Sequence, residues 1–210
     1  MILLTEWYID ARSDRQDEYV ECLLRNAANE HVEEIRLFGR PSALSKAPRH
    51  PKIVLVKQRT RITFARYFAY AAESLPDKIC GIANADIYFD NSLALARQID
   101  FEQRMLCLTR WDVQPDGSSK LILDNNGWDV WIWKSPLLMY EANFFQGKMH
   151  CDTRLLYLFR EKSLKVRNPT RSIRTHHLHL SAVRNYKKSE GVPGELYKFL
   201  LPTSLSEMAP

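Results

Sequence analysis

The run Ile79-Cys80-Gly81-Ile82-Ala83 is followed by Asn84-Ala85-Asp86, and apolar Ile87 to Phe89 leads on to Asp90. Its length and β-branched content predict a buried strand that delivers Asp86 at its C-terminal end. In open α/β sheets, ligands bind outside the carboxyl ends of the strands. A carboxylate there suits a hard divalent cation that holds the phosphates of a nucleotide. The plain alternative is a strand ending in a turn-forming Asp. A second set of chemical groups is His176-His177-Leu178-His179. His177 and His179, two residues apart, point the same way if the segment is extended. Either can complete a metal shell or donate to a diphosphate, and an imidazole in the shell tilts the choice between Mn²⁺ and Mg²⁺ toward Mn²⁺. Against that stands an exposed polar cluster in a basic stretch. From Arg160 to Lys188 there are nine Lys/Arg and one Glu, which suits a phosphate-facing lid, an anionic membrane contact or a solvated face.

Two further carboxylates stand out. Asp129 lies among three indoles in Gly127-Trp128-Asp129-Val130-Trp131-Ile132-Trp133. Trp131 and Trp133 alternate onto one strand face, which is either core or a surface that grips a sugar. Asp152 precedes a helical pattern over Thr153 to Glu161, a common place for an Asp N-cap. An N-cap lowers a carboxylate's pKa unless burial opposes it.

These residues need a scaffold. Ile2 to Thr5, extending toward Tyr8, opens as a strand, and Ile35 to Phe38 and Ile53 to Val56 read as further short strands. Asp14 to Asn29 carries a helical apolar stripe with Ser13 or Asp14 available as N-cap. Gly39 to Pro51 is polar and Pro-punctuated, hence a loop. Thr63 to Ser74 reads as a helix against the sheet, and Leu93 to Gln98 as a short one. Met105 to Thr109 and Lys120 to Leu123 read as strands joined through the hairpin signal Pro115-Asp116-Gly117-Ser118. Asp129 to Trp133 is a strand closed by Ser135-Pro136. Alternation gives way to a more antiparallel second half. The pattern predicts one α/β domain over 1–200 with a central mixed, mostly parallel sheet flanked by helices, and a C-terminal tail or linker start over 201–210.

Composition sets the outer limits. The 210 residues are 45% hydrophobic and 26% charged, so a large core forms and global disorder is excluded. A formal charge of +5 favours acidic ligands, which phosphate-bearing small molecules satisfy as well as nucleic acid does. Cys22, Cys80, Cys107 and Cys151 form no C-x-x-C pair, which argues against a zinc ribbon or redox motif and for a reducing compartment. The N-terminus lacks a basic leader and no apolar stretch is long enough to span a bilayer, so a cytoplasmic location (bacterial or host-cell) is expected.

Asp86 at a strand end, Gly127 to Trp133, Cys151-Asp152-Thr153-Arg154, and His177 to Ser181 with Arg184 and Tyr186 follow one another in this order. Together they resemble the small GT-A-type (Rossmann-like) glycosyltransferase domains of bacterial and large-algal-virus glycan synthesis. The likeness runs from the first strand to Tyr186. Asn84-Ala85-Asp86 resembles their D-x-D element, with Asn84 in place of the first acid, leaving Asp86 as the main carboxylate ligand. The resemblance implies a nucleotide-sugar donor, with UDP as the nucleotide, a glycan or glycoconjugate acceptor, and a Mn²⁺ or Mg²⁺ ion at Asp86 with His177 or His179. It also implies an acidic base for an inverting transfer, at Asp152 or, second, at Asp129. Thr5, Glu6, Trp7 and Tyr8 would then face base and ribose, and Arg59 and Arg61 the diphosphate, with Arg184 and Lys187 as further candidates. Nucleic acid is not an expected partner, and the chain is either whole or one domain of a longer protein. Two other readings stay open: a metal-dependent nucleotidyltransferase or nuclease, with Asp90 as its second acid, and a non-catalytic glycan or nucleic-acid binding module.

Overall fold

The computed structural model describes residues 1–123, 127–181 and 191–208. Its first half alternates strand and helix: β1 (Ile2–Glu6), α1 (Ser13–Ala28), β2 (Glu34–Gly39), α2 (Pro41–Leu44), β3 (Ile53–Lys57), α3 (Phe64–Ser74) and β4 (Ile79–Ala83). There follow β5 (Ile87–Phe89), a 3-10 helix (Asn91–Gln98), β6 (Arg104–Leu108), β7 (Trp111–Val113), β8 (Ser119–Leu121), β9 (Val130–Lys134), α4 (Cys151–Glu161), β10 (Lys165–Arg167) and β11 (Thr175–His177). Crossovers through helices return the chain in the same direction, so β1 pairs parallel with β2 and β4, and β2 with β3.

The central sheet has the order β10-β6-β9-β4-β1-β2-β3. Only β9 runs against its neighbours, β4 and β6. The expected mixed, mostly parallel sheet is therefore present. The reversal positions the site. Because β9 is antiparallel, its first residue Val130 pairs with the last residues of β4 and β6, Ala83 and Leu108. Asp129, one residue before β9, thus lies at the same edge as Asn84, just after β4. A second sheet, β5-β11-β7-β8, sits beside this edge. In it β11 lies between β5 and β7, with His177 opposite Ile87 and Asp112.

Strand alternation divides the core into two layers. In β9, Trp131 and Trp133 face α3 and α4, with Phe64, Tyr67, Phe68, Leu155 and Phe159. Val130 and Ile132 face the α1 side, with Tyr19, Leu23, Ala27 and Leu3. Trp131 meets Phe64 edge-on at 4.8 Å between ring centroids, and Trp133 meets Phe68 at 4.6 Å. The four cysteines are buried and unpaired.

Several boundaries differ from expectation. The Pro115–Ser118 turn joins β7 to β8, not β6 to the next strand, because β6 ends at Leu108 and the chain changes sheet at Arg110. The expected loop after Gly39 contains α2, started by Pro41 at a position where its missing N–H costs nothing. Neither Ser13 nor Asp14 caps α1; both lie in its first turn and Arg12 is the flanking residue. Asp152 is not the cap of α4 either: His150 is, in left-handed conformation (φ 65°). Beyond Leu201, Thr203 N–H donates to the Asn168 carbonyl at 2.8 Å and Arg171 N–H to that of Thr203 at 3.1 Å.

Trp133 is 1% exposed and wedged on Phe68. Trp133→Ala should cost about 3–5 kcal/mol of unfolding free energy, read from urea melts. A double-mutant cycle with Phe68→Ala should return a coupling of roughly 0.5–1.5 kcal/mol, the range for an aromatic pair beyond its area burial. A coupling near zero would contradict this packing.

Candidate active site

The ends of β1, β2 and β4 and the start of β9 open onto a cleft of about 1260 Å³. Glu6, Trp7, Tyr8, Arg61, Asn84, Ala85, Asp86, Trp128, Asp129, Asp152, His177 and His179 all border it. The backbone is tight where β2 ends: a Cβ on Gly39 would come within 2.6 Å of the Trp7 carbonyl oxygen, so only glycine fits.

At the Asp86 end, side chains from α1, the loop after β4, β7 and its approach, β11 and the start of β9 form a chain of ionic hydrogen bonds. Arg15, from the first turn of α1, donates to Asp86 Oδ2 and, at 2.6 Å, to Glu18 Oε2. His177 Nε2 lies 3.1 Å from Asp86 Oδ2, and its Nδ1 lies 2.8 Å from Asp112 Oδ1. Arg110 bridges Asp112 at 2.8 Å and Asp129 at 3.0 Å. Asn84 closes the circuit, its amide donating to Asp129 Oδ1 at 2.8 Å. This explains the departure from a D-x-D element. An acid at position 84 would face the Asp129 carboxylate, whereas the amide donates to it.

The charges follow from this geometry. Burial alone would raise Asp86, but the His177 charge and hydrogen bond and the Arg15 guanidinium hold it well below the usual carboxylate range. Burial alone would lower His177, but Asp86 and Asp112 outweigh it and push the imidazole up to about 9. Burial, with Arg15 and His177 alongside, lowers His179, keeping it neutral and able to ligate. Ligand atoms of Asp86, His177 and His179 lie within 4.8 Å of one another. Asp86 Oδ1 and His179 Nε2 are buried without a hydrogen-bond partner. An orphaned carboxylate oxygen beside an orphaned imidazole nitrogen is a donor set that fits a divalent cation.

The far end is built differently. Asp152, in the first turn of α4, accepts from Thr153 N–H at 2.8 Å and Trp128 N–H at 3.3 Å. No cation pairs with it among the described residues. Burial raises its carboxyl to about 6, with the Asp129 charge adding to burial and the two backbone donors opposing it. Two carboxyls in one cleft are thus driven in opposite directions.

Of the other expected site residues, Thr5 and Arg59 do not border the cleft. Thr5 instead ties β1 to β4 through the Ala83 carbonyl at 3.0 Å. Trp7 is buried and donates to the Ala43 carbonyl at 3.1 Å. Arg61 pairs with Glu6 at 3.0 Å and donates to the Gln146 carbonyl at 2.6 Å. Trp131 and Trp133 are core, with Trp131 also flooring the cleft. His176 is buried and stacked on Tyr88 rather than part of an exposed cluster. Asp90 bonds His176 at 3.0 Å and does not border the cleft. Arg184, Tyr186 and Lys187 lie outside the described residues. Sequence reasoning missed Arg15, Glu18, Arg110 and Asp112. The only signal was the i,i+3 spacing of Arg15 and Glu18 beside the apolar stripe of α1.

No protein-family model and no curated protein matches this sequence. Solved structures do. TarS of S. aureus (residues 1–349, in complex with UDP-GlcNAc) superposes with a TM-score of 0.56 at 10% identity over 87% of this chain. The mannosyltransferase PcManGT of Pyrobaculum calidifontis (in complex with GDP-Man and Mn²⁺) superposes with a TM-score of 0.55 at 14% identity over 88% of this chain. The chain spans 59% and 58% of the lengths of those two proteins. The likeness shows the fold: an α/β domain of GT-A type.

The charge pair makes stability depend on pH. His177 is raised from its ordinary 6.5, so its contribution is fully present below about 6.5 and is lost as pH rises through about 9. Asp86 is lowered from 3.8, so its contribution is present above about 3.8 and is lost as pH falls further. In metal-free buffer the unfolding free energy should therefore decline between about pH 6.5 and 9, and His177→Asn should flatten that decline. An unchanged alkaline slope in a folded His177→Asn protein would contradict the assignment.

Proposed function

We propose that this chain transfers a sugar, a hexose or deoxyhexose, from a nucleoside-diphosphate sugar to an acceptor hydroxyl on a glycan or glycoconjugate, with inversion. Uridine is the proposed base of the donor. The observation that carries this reading is the presence, within one cleft, of a half-buried carboxyl at Asp152 with no cation partner among the described residues and of a cluster at Asp86 whose ligand atoms could hold a cation. Inverting transfer needs both functions. A base must take the acceptor proton as its oxygen attacks, and positive charge must meet the departing diphosphate.

Asp152 is the proposed base. A pKa of about 6 leaves it ionised at neutral pH yet able to hold a proton in the transition state. Asp129 is less suited, since Asn84 and Arg110 engage both of its oxygens. It is instead placed to orient sugar hydroxyls, with Trp128 alongside. A divalent cation held by Asp86 and His179, with His177 joining only once it gives up its proton, would act as a Lewis acid on the diphosphate. Arg61 and Tyr8, at the ends of the neighbouring strands, border the part of the cleft left for phosphate, ribose and base. The fold of the two solved relatives, one holding UDP-GlcNAc and the other GDP-Man with Mn²⁺, supports the donor class. A two-metal nucleotidyl transfer finds no support in Asp90, which is turned to His176.

A thermal-shift panel of nucleotides and nucleotide sugars, with and without Mn²⁺, tests the donor. A ligand that binds only the native state raises the melting temperature by mass action. Uridine nucleotides should give the largest shift, and Asp86→Ala should abolish its Mn²⁺-dependent part. No shift with any nucleotide sugar would overturn the reading. Asp152→Asn should keep donor affinity and cut kcat by ~10²–10⁴-fold. In the parent protein kcat/KM should rise with pH up to about 6 as Asp152 ionises, then level off, and that limb should vanish in Asp152→Asn. Asp129→Asn should mainly raise the acceptor's KM. A dead Asp129→Asn beside an active Asp152→Asn would move the base to Asp129.

A further inference from the structure

Arg15 stands in an unusual place. It is in the first turn of α1, where the helix dipole disfavours a cation, and it is 5% exposed. Every nitrogen of its guanidinium is engaged. Nε donates to the Tyr19 hydroxyl at 2.9 Å, Nη1 to Glu18 at 2.6 Å and to the Leu178 carbonyl at 3.2 Å, and Nη2 to Asp86 Oδ2. Glu18 is held in turn by Ser181, whose N–H donates at 2.8 Å and whose hydroxyl donates at 3.0 Å. The guanidinium therefore sits where a cation bridging Asp86 and Glu18 would sit. It leaves only Asp86 Oδ1 unpartnered on that carboxylate.

We propose that Arg15 is the protein's own cation on Asp86, and that a divalent ion and the Arg15 guanidinium compete for this carboxylate. The inference rests on the cation site of the proposed function but concerns binding, not transfer. An ion at Asp86 Oδ1 and His179 Nε2 would lie within a few ångströms of a fixed positive charge in a poorly solvated site, where repulsion is strong. Arg15 must release Asp86 before the ion can take both oxygens. In its absence Glu18 loses its cation and Asp86 one of its two, so the two buried carboxylates beside the neutral His179 become a stronger set of hard and imidazole ligands.

The test uses Mn²⁺ alone, with free ion counted by electron paramagnetic resonance, on the parent protein, Arg15→Gln and Arg15→Lys. Arg15→Gln should bind Mn²⁺ about tenfold or more tighter than the parent. Arg15→Lys keeps the charge but has a single ammonium for acceptors the fork now spans, so its affinity should fall between the two. Arg15→Gln binding no tighter than the parent, including no binding by either, overturns the competition. If Arg15→Gln does not fold, Arg15→Lys binding no tighter than the parent overturns it equally. No nucleotide or acceptor enters the assay, so failure of the transferase reading and failure of this proposal are separate results.

Discussion

The Asp86 carboxylate is buried, and a buried charge persists only when it is compensated. Here compensation comes from Arg15 on α1 and His177 on β11, so the loop after β4 joins α1 and the small sheet through charge. Removing one partner of such a cluster leaves an uncompensated charge and costs about 3–5 kcal/mol. The relay through Asp112 and Arg110 to Asp129 and Asn84 extends the same constraint to the start of β9. Each member fixes the rotamer of the next. The cleft is thereby pre-organised by side chains that touch one another before any ligand arrives.

One strand reversal makes this geometry possible. With β9 antiparallel between β4 and β6, the edge that collects strand ends also collects a strand start, and Asp129 enters the cleft from it. The two ends of the cleft then differ by environment rather than by residue type. Asp86 is surrounded by cations and stays ionised, while Asp152 meets backbone donors, burial and the negative Asp129, and its carboxyl rises to about 6. That difference suits the roles proposed for them, an anion that binds positive charge and a base that accepts a proton.

Much of the scaffold was legible from the sequence. Short β-branched runs and one amphipathic stripe located β1 to β4 and α1, because burial periodicity acts locally. Asp86, Asp129, Asp152, His177 and His179 could be picked out, since each sits at a predicted element end or in a dense cluster. The hairpin strand was misplaced because β6 and β7 belong to different sheets, and no residue between Leu108 and Trp111 announces the change. Arg15, Glu18, Arg110 and Asp112 were invisible for a related reason. Their partners are long-range, 71 residues away for Arg15 with Asp86 and 65 for Asp112 with His177, and a solvated helix face or a turn explains each of them locally. Asp152 was open to two readings, an acidic base and a helix N-cap, because Asp before a helix is often a cap. That it accepts the Trp128 N–H from inside α4, with its carboxyl raised, only the tertiary structure shows.

The stereochemistry of transfer tests the central claim most directly. Incubating the protein with a uridine diphosphate α-sugar and an acceptor, and reading the anomeric proton of the new glycoside by NMR, separates the mechanisms. Deprotonation of the acceptor by Asp152 with single displacement gives a β-linked product. An α-linked product would contradict that account and require the sugar to leave and be replaced on the same face.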